Sequence, residues 1–125
     1  MRSAYRYLSA LLVVEVALQL VLAALGAFRA EGGKPARDQS VFDPHRINGD
    51  VVIVIALLLL LSAIAARDGR WRRFPLILFV LVVIQNPLAH AGTVGGVLHG
   101  LNAFLILGLA IELARGAWAR RTIPA

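Results

Sequence analysis

This chain of 125 residues is too apolar for a water-soluble domain, because 59% of its residues are hydrophobic and only 16% are charged. A typical soluble domain carries about a quarter charged residues. The absence of cysteine excludes disulfides, thiolate metal sites and cysteine nucleophiles. The formal net charge of +6 is compatible with a nucleic-acid partner, but the positions of the cations predict no nucleic acid.

Four apolar segments dominate the chain, and each is close to the ~20 residues that cross a bilayer as a helix. They cover residues 8–28, 44–66, 74–91 and 94–114. Long runs of Leu, Val and Ala favour helices over barrel strands, which alternate apolar with polar residues. We therefore predict an all-α, polytopic membrane protein, a single domain over residues 1–125 that forms a four-transmembrane-helix bundle with an external loop at 29–43.

Arginines gather at one end of the four segments. Nine of the 13 Lys and Arg residues precede the first segment, separate the second from the third, or follow the fourth: Arg2, Arg6, Arg67, Arg70, Arg72, Arg73, Arg115, Arg120 and Arg121. Under the positive-inside rule they place both termini in the cytoplasm and the protein in the inner (plasma) membrane, with the lipid bilayer as a partner. A cleaved signal peptide is the alternative for the first segment, which is longer than a usual signal core and contains Glu15 and Gln19.

Polar side chains inside a membrane are costly, so each one is a candidate functional residue. We estimate their depth by counting about 1.5 Å per residue from the arginines at the predicted inner end. The deeper layer contains Gln19, Gln85 and Asn102. The outer layer contains His90, His99 and Asp50, and His45 lies a little farther out. All three histidines of the chain are therefore in the outer half. The sequence shows no internal repeat.

Two of the histidines have small residues beside them on their helices. Asp43 is a favourable N-cap, which predicts that the second helix begins there with His45 in its first turn. Gly49 lies one turn after His45, and Gly95 lies one turn before His99. We expect these glycines to leave room beside the imidazoles for a flat ligand.

Histidines on different helices of a membrane bundle, each beside small residues, are what a b-type haem requires. Arg46 is placed to pair with a haem propionate. Ligation by two histidines leaves no open position on the iron and favours electron transfer, with a quinone or a redox protein as partner. His99 is one predicted ligand, and the other is either His45 or His90. The depth count separates His45 from His99 by ~9 Å, which favours His90.

Short motifs in the chain resemble known membrane proteins. His-Arg-x-x-Gly at His45 opens the second helix, Gln85 lies in the third, and Leu-His-x-x-Asn around His99 opens the fourth. The whole chain resembles an uncharacterised group of small four-span actinobacterial membrane proteins. The histidine motifs also resemble the haem-bearing four-helix halves of haem A synthase. That family has a glutamate where this chain has Phe42, so the resemblance implies haem binding through His45 and His99 but not the catalytic activity.

Two other functions remain open. The first is a non-haem copper, zinc or iron site built from His90, His99 and Asp50, since two histidines and one carboxylate suit these metals. The second is a non-catalytic accessory subunit of a homodimer or larger membrane complex, in which the polar layers lock the helices together. Glu15 near mid-membrane could join a proton or quinone path, or it could be a neutral carboxyl held by hydrogen bonds.

Overall fold

A computed structural model describes residues 2–32, 39–66 and 69–119 of the chain. Four helices account for nearly all of these residues: α1 (Arg2–Glu31), α2 (Asp43–Ala65), α3 (Gly69–Ala89) and α4 (Gly92–Ala119). A short 3-10 helix, Gln39–Phe42, precedes α2. Each of the four is long and apolar enough to cross a membrane. The structure confirms the all-α four-helix bundle.

The helices extend beyond the apolar segments that predicted them. α1 continues to Glu31 and α4 to Ala119, so helix replaces the first part of the predicted 29–43 loop, and residues 33–38 lie outside the described residues. Charged residues end an apolar run but not a helix, because long side chains can reach toward the headgroups from a helical backbone. The N-cap prediction is also wrong by one residue: Phe42 is the N-cap of α2, without a side-chain hydrogen bond.

The four helices lie at the corners of a square in cross-section. α1 packs against α2 and α4, and α3 packs against the same two helices. Within the described residues α2 and α4 have no close backbone contact, so these two helices occupy one diagonal of the bundle. The core consists of apolar side chains from all four helices: Leu12, Val16, Val52, Leu59, Leu78, Val82, Ile106 and Leu113.

The outer surface of the bundle is also apolar. Large hydrophobic side chains such as Val14, Val21, Phe104 and Leu105 are more than half exposed. In water such a surface would be a liability, whereas lipid tails accept it. The surface therefore agrees with a membrane protein.

Aromatic and basic residues meet at the end of the bundle where α1 begins and α4 ends, here called the terminal end. Tyr7 on α1 and Trp118 on α4 form an edge-on pair with ring centroids 6.1 Å apart. The Arg6 guanidinium lies 5.4 Å from the centre of the Trp118 ring. Of the arginines predicted at the inner end, Arg67, Arg120 and Arg121 lie outside the described residues. The amphipathic rings of Tyr7 and Trp118 are of the kind that prefers a membrane–water interface.

The two helical hairpins, α1–α2 and α3–α4, repeat each other. A shift of 66 residues places Leu12 on Leu78, and both are 0% exposed. A shift of 54 residues places Leu59 on Leu113, and both are buried. The expectation of no internal repeat is therefore wrong. Because the connection within the second hairpin is shorter, no single shift aligns both helices, and this hides the repeat from inspection of the sequence.

Candidate functional site

The first hairpin joins its helices through a histidine, a glutamine and an asparagine. The Nδ1 of His45 is 3.1 Å from the backbone carbonyl of Gln19, and the Gln19 side-chain amide donates to the backbone carbonyl of His45 at 2.8 Å. Asn48 donates to the Gln19 side-chain oxygen at 2.9 Å and to the backbone carbonyl of Glu15 at 3.0 Å. These bonds fix the level of α1 against α2 at the end opposite the termini.

The second hairpin contains the same set of bonds. The Nδ1 of His99 is 2.9 Å from the backbone carbonyl of Gln85, and the Gln85 side-chain amide donates to the backbone carbonyl of His99 at 2.9 Å. Asn102 donates to the Gln85 side-chain oxygen and, at 2.8 Å, to the backbone carbonyl of Leu81. We call each set of one Gln, one His and one Asn a clamp.

The spacing of the residues explains the clamp. His and Asn are three residues apart in both α2 and α4, so they lie on one face of the helix. The two carbonyls that receive them are four residues apart on the partner helix, again on one face. Sequence analysis selected Gln19, Gln85 and Asn102 but missed Asn48. The signal that would have found Asn48 is the His-x-x-Asn motif that it shares with Asn102.

Each clamp sets the tautomer of its histidine. A backbone carbonyl can only accept a hydrogen bond, so Nδ1 carries the proton in both His45 and His99. In the neutral imidazole, Nε2 is then the nitrogen that can accept a hydrogen bond or bind a metal. The Gln19 amide nitrogen lies 3.5 Å from Nε2 of His45. Such a backbone hydrogen bond is the usual second partner of a histidine that binds a metal through its other nitrogen.

The two clamped histidines face each other across the bundle. Their ring centroids are 6.1 Å apart and the rings are inclined at 60°, although α2 and α4 lie on opposite corners. The depth estimate that separated them is wrong. His45 lies 20 residues before Ala65 and His99 lies 20 residues before Ala119, so measured from the helix ends they are at one level. The estimate failed because α4 continues past Arg115 and α2 ends before Arg67.

The remaining predicted ligands are placed elsewhere. His90 is exposed just after α3, where its Nδ1 is 2.9 Å from the backbone carbonyl of Asn86. Asp50 is exposed on α2. Over residues 2–32, 39–66 and 69–119, no three His, Asp or Glu side chains form a group that could hold a metal ion. The structure therefore does not assemble a site from His90, His99 and Asp50.

The glycines beside the histidines do not open a slot. A Cβ at Gly49 would lie 3.2 Å from the side-chain amide nitrogen of Gln19, and a Cβ at Gly95 would lie 2.5 Å from the backbone carbonyl of Leu88. Both glycines serve close packing of neighbouring helices instead. The expectation of open space beside the imidazoles at these two positions is wrong, because the neighbouring helix fills it.

Arg46 lies next to His45 on the exposed side of α2. Its guanidinium is 3.5 Å from the Asp43 carboxylate, and both side chains are about half exposed at 49% and 54%. An exposed ion pair of this kind contributes little to stability. Arg46 supplies positive charge one residue from the clamp, at the end opposite the termini.

The fold and the two clamps define a four-helix membrane bundle with a pair of facing, half-buried histidines. The sequence profile described as "Family of unknown function (DUF6220)" matches residues 19–94, which is more than half of the chain. The chain belongs to this family. The matched region begins at Gln19, includes His45, Asn48 and Gln85, and ends before His99. No curated protein and no solved structure matches the chain.

Proposed function

We propose that this protein is a small membrane cytochrome that holds one b-type haem between His45 and His99 and transfers electrons. The observation that carries the proposal is the pair of facing imidazoles, each with its Nδ1 bonded to a backbone carbonyl. Half-buried histidines that only join helices have no need to face each other across a diagonal. A ligand bound between the two imidazoles would explain why both hairpins hold a histidine in this way.

The separation of the rings suits one metal ion bound from both sides. Metal–imidazole bonds of about 2.0–2.1 Å would place two opposed ring centres about 6 Å apart. The observed centroid separation is 6.1 Å. The donor set also fits, because two neutral imidazoles are a common axial pair for b-type haem. The iron would supply one-electron redox chemistry.

The other residues of the site would support the group. Gln19, Gln85, Asn48 and Asn102 hold the imidazoles in place through the clamps. Arg46, one residue after His45, would place a guanidinium near a propionate. Ligation by both histidines would leave no open position on the iron, and such a site would suit electron transfer with a quinone or a redox protein.

We further propose that the protein lies in the plasma membrane with both termini in the cytoplasm. The side chains of Arg72, Arg73 and Arg115 are exposed at the terminal end, and Arg6 stacks on Trp118 there. Positive charge on the flanks of membrane helices marks the cytoplasmic side. The histidine pair then lies toward the outer face.

The test is an absorption spectrum of the detergent-purified protein after reconstitution with haem. We expect a Soret band and sharp visible bands on reduction with dithionite. The double variant His45→Ala/His99→Ala should lose them, whereas His90→Ala, the matched control, should keep them. A wild-type protein without a Soret band contradicts the proposal.

An accessory structural role is the second candidate, and one observation favours it. Every clamp amide already has a partner on the neighbouring helix, so the clamps also work as interhelical locks without any ligand. Elemental analysis of the same preparation separates the remaining cases. Stoichiometric copper, zinc or non-haem iron would indicate a metal held by the histidine pair, and the absence of haem and metal would favour the accessory role in a homodimer or larger complex.

A further inference from the structure

Glu15 is an acidic residue in the middle of a membrane-spanning helix. It lies 13 residues after the first residue of α1 and 16 before the last, so it is ~20 Å and ~24 Å along the helix from the two ends. The side chain is half-buried. Within the described residues no hydrogen bond or ion pair reaches its carboxyl group.

The second hairpin shows that the fold does not need this carboxyl. The repeat places Leu81 on Glu15, and both side chains are half-buried. Both residues serve their clamps through the backbone alone, since the carbonyl of Glu15 accepts from Asn48 and the carbonyl of Leu81 accepts from Asn102. An apolar side chain is therefore sufficient for packing. A carboxyl at this depth is costly and indicates a function.

We propose that Glu15 is a proton-binding site coupled to the histidine pair, so that the site takes up one proton with each electron. This inference rests on the proposed haem function. Asn48 lies between Glu15 and the histidine pair. It donates hydrogen bonds to the backbone carbonyl of Glu15 and to the Gln19 side chain of the His45 clamp. An electron added beside the clamp raises the negative charge in a medium that screens charge weakly.

The step balances with one proton per electron. The electron comes from a reductant, which is dithionite in the test below. The Glu15 carboxylate takes one proton from water and becomes a neutral carboxylic acid. On oxidation the electron leaves, the O–H bond breaks and the proton returns to water. The net charge inside the membrane is then the same before and after reduction.

The elements packed against α1 carry other titratable and charged groups, which the test must separate from Glu15. On α2 and α4 they are Asp43, His45, Arg46, Asp50, His99, Glu112 and Arg115, and the 3-10 helix carries none. Asp43 and Glu112 are paired with Arg46 and Arg115. Asp50 is the one acid of this set without an ion pair, and it is therefore the matched alternative to Glu15.

The experiment measures the midpoint potential of the haem-reconstituted full chain by dithionite titration at several pH values around neutrality. We expect the potential to fall by about 59 mV per pH unit, as one proton per electron requires. The slope should be lost in Glu15→Gln and in Glu15→Leu, which copies the second hairpin. It should persist in Asp50→Asn and in Glu112→Gln.

The outcomes distinguish the two proposals. A reconstituted protein without a Soret band overturns the haem function and this inference together. A normal Soret band with a pH-independent potential overturns the inference alone. So does a slope that survives in both Glu15 variants or disappears in Asp50→Asn. The spectrum of each variant shows that it has folded around the haem, so a lost slope cannot come from a lost site.

Discussion

The two hairpins of this bundle are alike in their core and clamps but differ in polar side chains. Val16 and Val82 occupy equivalent positions and are 4% and 3% exposed. The clamps also match, from the carbonyl that holds each histidine to the amide that holds each glutamine. These shared features are what the fold and the histidine pair require of each hairpin.

The differences lie at positions that are equivalent in the two helical hairpins. Glu15, Arg46 and Asp50 of the first hairpin correspond to uncharged residues of the second: Leu81, Gly100 and Phe104. Because the second hairpin folds without these charges, packing does not explain them. The comparison teaches that the imidazole pair is built equally by both hairpins, whereas these three charged residues occur in the α1–α2 hairpin only.

We expect the largest loss of stability when a core leucine is truncated at a position where the two hairpins are equivalent. Leu12→Ala and Leu78→Ala each remove a side chain that is 0% exposed, and each should lower the free energy of unfolding by about 2–5 kcal/mol. Denaturation in mixed detergent micelles measures this. If one variant lost stability within this range and the other fell outside it, the two hairpins would not be equivalent.

Glycine substitutions test a place where the hairpins differ. A Cβ at Gly95 would meet the backbone carbonyl of Leu88, which cannot move easily, so Gly95→Ala should cost about 1–3 kcal/mol. A Cβ at Gly49 would meet only the end of the Gln19 side chain, and the second hairpin has Ala103 there, so Gly49→Ala should cost less. The same denaturation assay compares them, and the reverse order would contradict the assigned contacts.

The clamps should contribute equally. Asn48→Leu and Asn102→Leu each remove hydrogen bonds between two helices, and each should cost about 0.6–2 kcal/mol of stability in the membrane. In the reconstituted protein both should also broaden the Soret band, because the imidazole is held less firmly. An effect confined to one of the two variants would show that only one clamp supports its histidine.

The smallest effect is expected at the ion pair between Arg115 and Glu112. The Arg115 side chain is 74% exposed and the Glu112 side chain is 66% exposed. Glu112 corresponds to an apolar residue of the first hairpin, Leu58. Arg115→Gln should change stability by at most about 1 kcal/mol. Thermal unfolding followed by circular dichroism measures the change, and a larger loss would mean that Arg115 has a structural role at the terminal end.

The bundle itself was predictable from the sequence, because runs of about 20 apolar residues have few other stable forms in lipid. The helix ends were not, since α4 continues for four residues past Arg115. That error propagated into the depth of His99 and wrongly favoured His90 as its neighbour. Helix ends therefore give a better reference for depth than the nearest arginine.

The clamps were only partly predictable. Gln19, Gln85 and Asn102 stood out as amides in an apolar chain, but their partners are mostly backbone carbonyls, which no residue pattern reveals. Asn48 lies near the polar start of α2 and did not stand out. The identity of the facing pair depends on the diagonal placement of α2 and α4, which follows from packing and not from spacing along the chain.

The most direct test of the histidine pair is electron paramagnetic resonance of the ferric, haem-reconstituted protein. Two imidazole ligands predict a six-coordinate, low-spin signal, and His45→Ala and His99→Ala should each convert it to a high-spin signal to the same extent. A wild-type protein that is high-spin, or a low-spin signal that survives in either variant, would contradict ligation by His45 and His99.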